Sequence, residues 1–134
     1  MATYITWKDH YSVNDPSLDA EHKRIIQYIN DLYAALQNPT QDAAATKQVL
    51  DKLVQYTCSH FDHEEARMRE IGYPNFEAHK AQHDDLRRRT VGLRTNVTLV
   101  TARDVLVFLK DWFVNHIQGE DKLYAAYMPS LVTQ

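Results

Sequence analysis

Four prolines, at positions 16, 39, 74 and 129, punctuate a chain that is otherwise nearly free of helix breakers, since it holds only three glycines. Proline lacks a backbone N–H and clashes with the preceding turn, so each proline marks a gap between helices or the end of one. Between these gaps apolar residues recur at spacings of three and four, the period of an α-helix with one buried face. The pattern predicts an extended amino-terminal arm reaching Pro16 and helices over 18–37, 41–70, 75–97 and 102–119, followed by a short terminal helix up to 129. Asp15, Ser17 and Asp19 supply side chains able to cap the first of these. Four long helices joined by short loops imply an all-α, antiparallel up-down-up-down four-helix bundle.

At 134 residues, with no low-complexity tract or linker, the chain reads as one domain spanning 1–134. A formal charge of −3 gives no electrostatic footprint for nucleic acid, and Arg87-Arg88-Arg89 reads as a solvated helix face. No apolar run approaches membrane-spanning length, and the start MATYITWKDHY has neither the basic region nor the hydrophobic stretch of a signal peptide. A cytoplasmic location is expected. The single cysteine, Cys58, suits a reducing compartment and is expected to be a small buried hydrophobe.

The stretch HFDHEEARMREIGYPNFEAHKAQH, residues 60–83, places four of the seven histidines among carboxylates. Advancing about 100° per residue around a helical wheel shows which of them share an apolar face. In the first helix His22 lies amid Leu18, Ile25, Ile26, Ile29, Tyr33 and Leu36. In the second, the stripe Leu50, Leu53, Thr57, His60, Glu64, Met68 and Ile71 puts a histidine and a glutamate in adjacent core layers, whereas His63 falls about 100° from its centre. In the third, Phe76, His79, His83, Leu86, Leu93 and Val97 share one face. In the fourth, Val105, Leu109, Trp112 and Phe113 lead to His116.

Five histidines and one glutamate therefore point into the bundle. Burying them uncompensated would cost several kcal/mol per charged or unpaired group, about the stability of a whole domain. A metal supplies the compensation. The i,i+4 pairs His60/Glu64 and His79/His83 each stack two donors on one side of a helix.

These residues resemble the hemerythrin family, in particular its single-domain bacterial members. The likeness runs nearly the whole length: W-x-x-x-Y-x-V at Trp7, Tyr11 and Val13; D-x-x-H from Asp19 to His22; H-F-x-x-E-E-x-x-M from His60 to Met68; G-Y-P followed by H-x-x-x-H at His79 and His83; and W-F-x-x-H-I-x-x-x-D from Trp112 to Asp121. The resemblance implies a non-haem di-iron centre. His79, His83 and His116 would bind one iron and His22 and His60 the other, with Glu64, Asp121 and an oxo or hydroxo group bridging them. By the same resemblance dioxygen binds reversibly at the open position of the iron beside His22 and His60, where it is held as a hydroperoxide. Ile25, Trp112, Phe113 and Ile117, each about one turn or less from a ligand, are expected to wall an apolar oxygen pocket.

Asp121 enters through the family pattern alone, because five residues from His116 is about 140° on a regular helix. Glu120, at about 40°, is the competitor that regular geometry favours. Gly119 between them could permit a widened turn or a break that swings Asp121 inward.

Two enzymatic readings compete. The adjacent pair His83-Asp84 resembles the metal site of an all-helical phosphohydrolase family, but Asp84 points away from the shared stripe. A ferritin-like oxidase would combine glutamates with Glu-x-x-His motifs, whereas this set has five histidines and two carboxylates. The chain is thus expected to be an oxygen carrier, store or supplier rather than an enzyme. It would act as a monomer, with an oxygen-consuming enzyme as candidate recipient, and without nucleic acid or membrane insertion.

Overall fold

The computed structural model describes residues 4–37, 43–94 and 99–128. Within them lie α1 (Pro16–Gln37), α2 (Ala43–Glu70), α3 (Phe76–Arg94) and α4 (Leu99–His116), then a π-helical segment (Ile117–Asp121) and a short α5 (Lys122–Ala125). The helices form an up-down-up-down four-helix bundle in which α1 packs on α2 and α4, and α2 packs also on α3. None of the described helices is long and apolar enough to cross a membrane.

The first helix begins two residues earlier than the apolar pattern indicates, and its cap explains why. Asp15 Oδ1 accepts from the backbone N–H of Ser17 at 2.9 Å and of Leu18 at 3.1 Å, which seats Pro16 at the first helical position, where its missing N–H is not needed. Asp19 reaches backward instead, accepting from Ser12 Oγ at 2.6 Å and Val13 N–H at 2.8 Å. The arm is pinned farther along by Asn30, whose side-chain oxygen accepts from Tyr4 and Ile5 N–H while its amide donates to Ile5 O. The arm is not extended throughout, because Asp9–Tyr11 coil into one 3-10 turn that buries Tyr11.

The Gly-Tyr-Pro turn between α2 and α3 is a Schellman closure. Tyr73 N–H donates to Met68 O at 3.0 Å and Gly72 N–H to Arg69 O at 3.1 Å, with Gly72 at φ +67°, the left-handed conformation glycine adopts without steric cost. Tyr73 and Met68 belong to the same core cluster, the apolar contact that often accompanies that motif.

The remaining helix limits differ modestly from expectation. The third helix starts at Phe76 instead of 75 and is described as far as Arg94, and the fourth is helical from Leu99, one turn before 102, and leaves α geometry after His116. The expected start of the second helix at 41, Val97, and the end of the terminal helix at 129 lie outside the described residues. Tyr33 is half-buried and stacks on Tyr4 at 4.7 Å, so Leu32 takes the core position on that turn. Cys58 is half-buried where burial was expected.

The core is divided in two. A large apolar cluster gathers residues from all four helices, including Ile25, Ile29, Leu53, Leu86, Leu109 and Phe113. A smaller one joins Val13, Leu18, Met68, Tyr73, Tyr124, Ala125 and Met128. The inward histidines occupy the layer from which both clusters extend.

Candidate metal centre

Each helix contributes donors at the turn its phase dictates: His22 from α1, His60 and Glu64 from α2, His79 and His83 from α3, and His116 from the last turn of α4. All six are buried, and Glu64, His22 and His83 have no exposure. Asp121 joins them at 1% exposure through the π-helical segment. A π turn carries one more residue than an α turn, so a residue five positions on is brought back over His116. Its Oδ1 stands 3.0 Å from His116 Nε2 and 3.1 Å from His79 Nε2, and its Oδ2 stands 3.3 Å from His22 Nε2. Glu120 instead borders an outer cleft with Gln82, Asn115, Trp112 and His116.

Two donor groups result. One consists of His79, His83, His116, Asp121 and Glu64, the other of His22, His60 and Glu64. Glu64 belongs to both because its oxygens face opposite ways. Oε1 lies 3.0 Å from His83 and 3.3 Å from His79, while Oε2 lies 3.2 Å from each of His22 and His60. His63 is outside, with its side chain 41% exposed. So is Asp84, which pairs with Lys80 and Arg87 at the surface.

The arrangement fits a pair of cations better than a hydrogen-bonded core. The Nε2 atoms of His79, His83 and His116 form a triangle with every side 3.1 Å. Three donors at right angles and roughly 2.1 Å from one ion would be about 3.0 Å apart. Two of these rings already commit their other nitrogen. His83 Nδ1 donates to Glu65 at 2.8 Å and His116 Nδ1 to the Gln82 side-chain oxygen at 3.1 Å, so in the neutral rings both Nε2 atoms carry lone pairs aimed at each other. A cation removes that repulsion. Asp121 Oδ1, buried and 3.0 to 3.1 Å from two imidazoles, makes no hydrogen bond with either, as expected of an atom directed at an ion instead.

Around the donors lies a layer of partners that the wheel does not reveal. Glu21 accepts from His60 Nδ1 at 2.8 Å and from His63 Nδ1 at 3.0 Å; Glu65 accepts from His83 and also pairs with Arg87 at 2.9 Å. Such carboxylates fix ring orientation and raise ligand basicity. Tyr124 donates to Glu64 Oε2 at 2.7 Å. Phe61 stacks on His83 with centroids 3.9 Å apart and Trp112 on His116 at 4.4 Å, while Phe113 meets His22 edge-on at 5.8 Å. The only local signal for Glu21 and Glu65 was adjacency to a donor, since their imidazole partners come from other helices.

Of the expected pocket residues, Ile25, Trp112 and Phe113 line a cavity of about 10 Å³, closed otherwise by Ile29, Leu53, Thr57, Leu86 and Leu109. Ile117 is buried beside His116 but does not border that cavity.

The charges of the donors are mutually adjusted. Burial alone would hold His22 in its neutral form, but the carboxylates of Asp121 and Glu64 outweigh it and raise its pKa to about 10. The same two groups overcome burial at His79 and raise it to about 9. Burial opposes the ionised form of Glu64 and Asp121, yet the facing histidines hold both well below the usual carboxylate range. The facing carboxylates thus make both histidines hold a proton more tightly than a free imidazole, and an ion binding there competes with that proton. Metal loading at pH 7 is expected to release at least two protons per chain, measured calorimetrically in buffers of different ionisation enthalpy. Loading without proton release would remove His22 and His79 from the donor set.

Comparison with known proteins agrees with this geometry. Residues 15–128 match the family model described as the hemerythrin HHE cation binding domain. The bacteriohemerythrin of Stenotrophomonas maltophilia (strain R551-3) is 33% identical over 97% of this chain and 85% of its own length. The myohemerythrin of Theromyzon tessulatum is 31% identical over 88% of each chain. A crystal structure of wild-type hemerythrin superposes with a TM-score of 0.72 at 32% identity, covering 92% of this chain and 97% of the other. With motif, fold and donor layer in agreement, the chain belongs to the hemerythrin family.

Proposed function

We propose that the protein binds dioxygen reversibly at a pair of irons. His79, His83 and His116 would hold one and His22 and His60 the other, with Glu64 and Asp121 spanning both. The observation carrying this reading is the division of seven buried side chains into two groups that share Glu64, with the two-histidine group one imidazole short. An iron pair bound there supplies two electrons that dioxygen takes up on binding and returns on release. Imidazole-rich donors suit divalent iron, and two carboxylates partly neutralise two divalent charges at close range.

The protein's own groups then keep that exchange reversible. Phe113 lies edge-on to His22, and Ile25 and Trp112 help wall the adjoining, mainly apolar cavity. An apolar wall on that side disfavours water, which slows protonation and loss of reduced oxygen. Five histidines against two carboxylates favour carriage over oxygen activation. We place the chain in the cytoplasm as one unit over 1–134 that acts as a monomer, storing oxygen or supplying it to an oxygen-consuming enzyme.

One optical experiment tests this. Reduced protein should be colourless, gain iron charge-transfer bands in air and lose them under vacuum; protein without two irons per chain, or with bands that never reverse, would refute the reading. Replacing Phe113 or Ile117 by glutamate is expected to accelerate oxidation of the oxygenated protein about 100-fold, the lower end of the ~10²–10⁴ range by which a positioned acid assists proton transfer. An unchanged oxidation rate at both positions would show that these side chains do not guard the site.

A further inference from the structure

Glu64 presents chemically unequal oxygens to its two sides. Oε1 faces His79 and His83 and, among the described residues, receives no hydroxyl. Oε2 faces His22 and His60 and also accepts the 2.7 Å hydrogen bond from the Tyr124 hydroxyl. Among the described residues, none gives Asp121 a comparable donor. The phenol is therefore attached to one of the four carboxylate oxygens in the donor layer, on the side already one histidine short.

Tyr124 is held there firmly. It has no solvent exposure, its ring meets Tyr73 at 6.2 Å and His79 at 5.5 Å, and it follows Asp121 by three residues. The π-helical segment that brings Asp121 inward thus also sets the phenol. A buried carboxylate oxygen that accepts a short hydrogen bond has less charge to give an ion.

We propose that Tyr124 is a positioning residue that polarises Glu64 toward its phenol and so leaves the two-histidine ion the more electron-poor of the pair, biasing the centre toward its reduced, oxygen-ready state. The proposal rests on the iron-pair reading above. Two irons would then differ in electron demand for two separate reasons, the missing imidazole and the phenol, acting in the same direction.

The test is a graded series at one position in the full chain: tyrosine, Tyr124→Phe, and 3-fluorotyrosine, whose more acidic hydroxyl donates a stronger hydrogen bond. Iron content is measured first, then redox equilibrium under argon by spectroelectrochemistry. At a fixed ambient potential, Tyr124→Phe is expected to raise the ratio of oxidised to reduced protein about five-fold, equivalent to one net hydrogen bond of about 1 kcal/mol. Fluorotyrosine should lower it. A packing role would not produce opposite shifts from two substitutions that keep the ring. As a readout independent of oxygen binding, stripped protein titrated with Co²⁺ should show altered visible absorption for one of the two bound ions on Tyr124→Phe. Two irons bound with an unchanged ratio across the series would overturn the inference, as would loss of an iron in the phenylalanine variant. Absence of an iron pair from the unaltered protein would instead overturn the reading beneath it.

Discussion

Glu64→Gln protein is expected to fold yet hold fewer than two irons per chain, and Glu64→Ala protein to hold none stably. Glu64 is the one side chain common to both donor groups, with contacts of 3.0 to 3.3 Å to four imidazoles. Glutamine keeps the volume but removes the charge, so the two ions lose half of the carboxylate that lies between them. Alanine also leaves His22, His60, His79 and His83 buried with Asp121 as the remaining central counter-charge. Breaking a buried charge pair in this way costs about 3–5 kcal/mol. The measurements are iron per chain and urea midpoint of the stripped protein; two tightly held irons in either variant would disprove the bridging role.

The same substitution has a pH signature. In the stripped protein His22 and His79 are raised to about 10 and about 9, so the stability they contribute is fully present below about pH 6.5 and is lost as pH rises through 9 to 10. Glu64 and Asp121 are depressed, so their contribution is present above the ordinary carboxylate range, near pH 4, and is lost as pH falls through their lowered values. The unaltered stripped protein should therefore weaken from pH 6.5 to 10. Removing Glu64 removes one of the two groups that raise both histidines, so this decline should flatten.

The second large effect concerns Asp121. Asp121→Ala is expected to weaken iron-pair binding at least about 100-fold, beyond the ~10–100-fold typical when a mere outer partner of a ligand is lost. Glu120→Ala should leave two irons in place, since Glu120 lies along the outer cleft. Regular helix geometry assigns these roles the other way round, so the pair of variants separates the two geometries directly. Two irons with normal oxygen affinity in Asp121→Ala would reject the assignment.

Most of the donor layer was legible because helical phase is a local property. His22, His60, Glu64, His79, His83 and His116 each lie on an apolar stripe, and the bundle had only to form for the stripes to face one another. His63 was separable by the same criterion. Asp121 was not, because its place depends on a local change of helical pitch that residue identity signals weakly; Gly119 hinted at it, and the motif selected it. Glu21, Glu65, Gln82 and Tyr124 escaped for another reason. Each meets its partner across helices through a side chain off the apolar stripe or beyond the fourth helix, and such meetings are set by the rotation of one helix against another. The first helix starts two residues early because capping overrode hydrophobic period, as Asp15 and Pro16 show.

The π-helical segment also bears on how the spacing between His116 and Asp121 should be counted. In an uninterrupted α-helix the residue stacked over His116 is the fourth one on; here it is the fifth, because one residue has been absorbed into the wider turn. A chain one residue shorter at this point could close the same carboxylate over the same imidazole with an ordinary α turn, and Tyr124 would follow in step. Between His60 and Glu64, by contrast, losing one residue would rotate the glutamate by about 100° relative to its histidine. Length is thus negotiable at one edge of the histidine and carboxylate layer and fixed at the other.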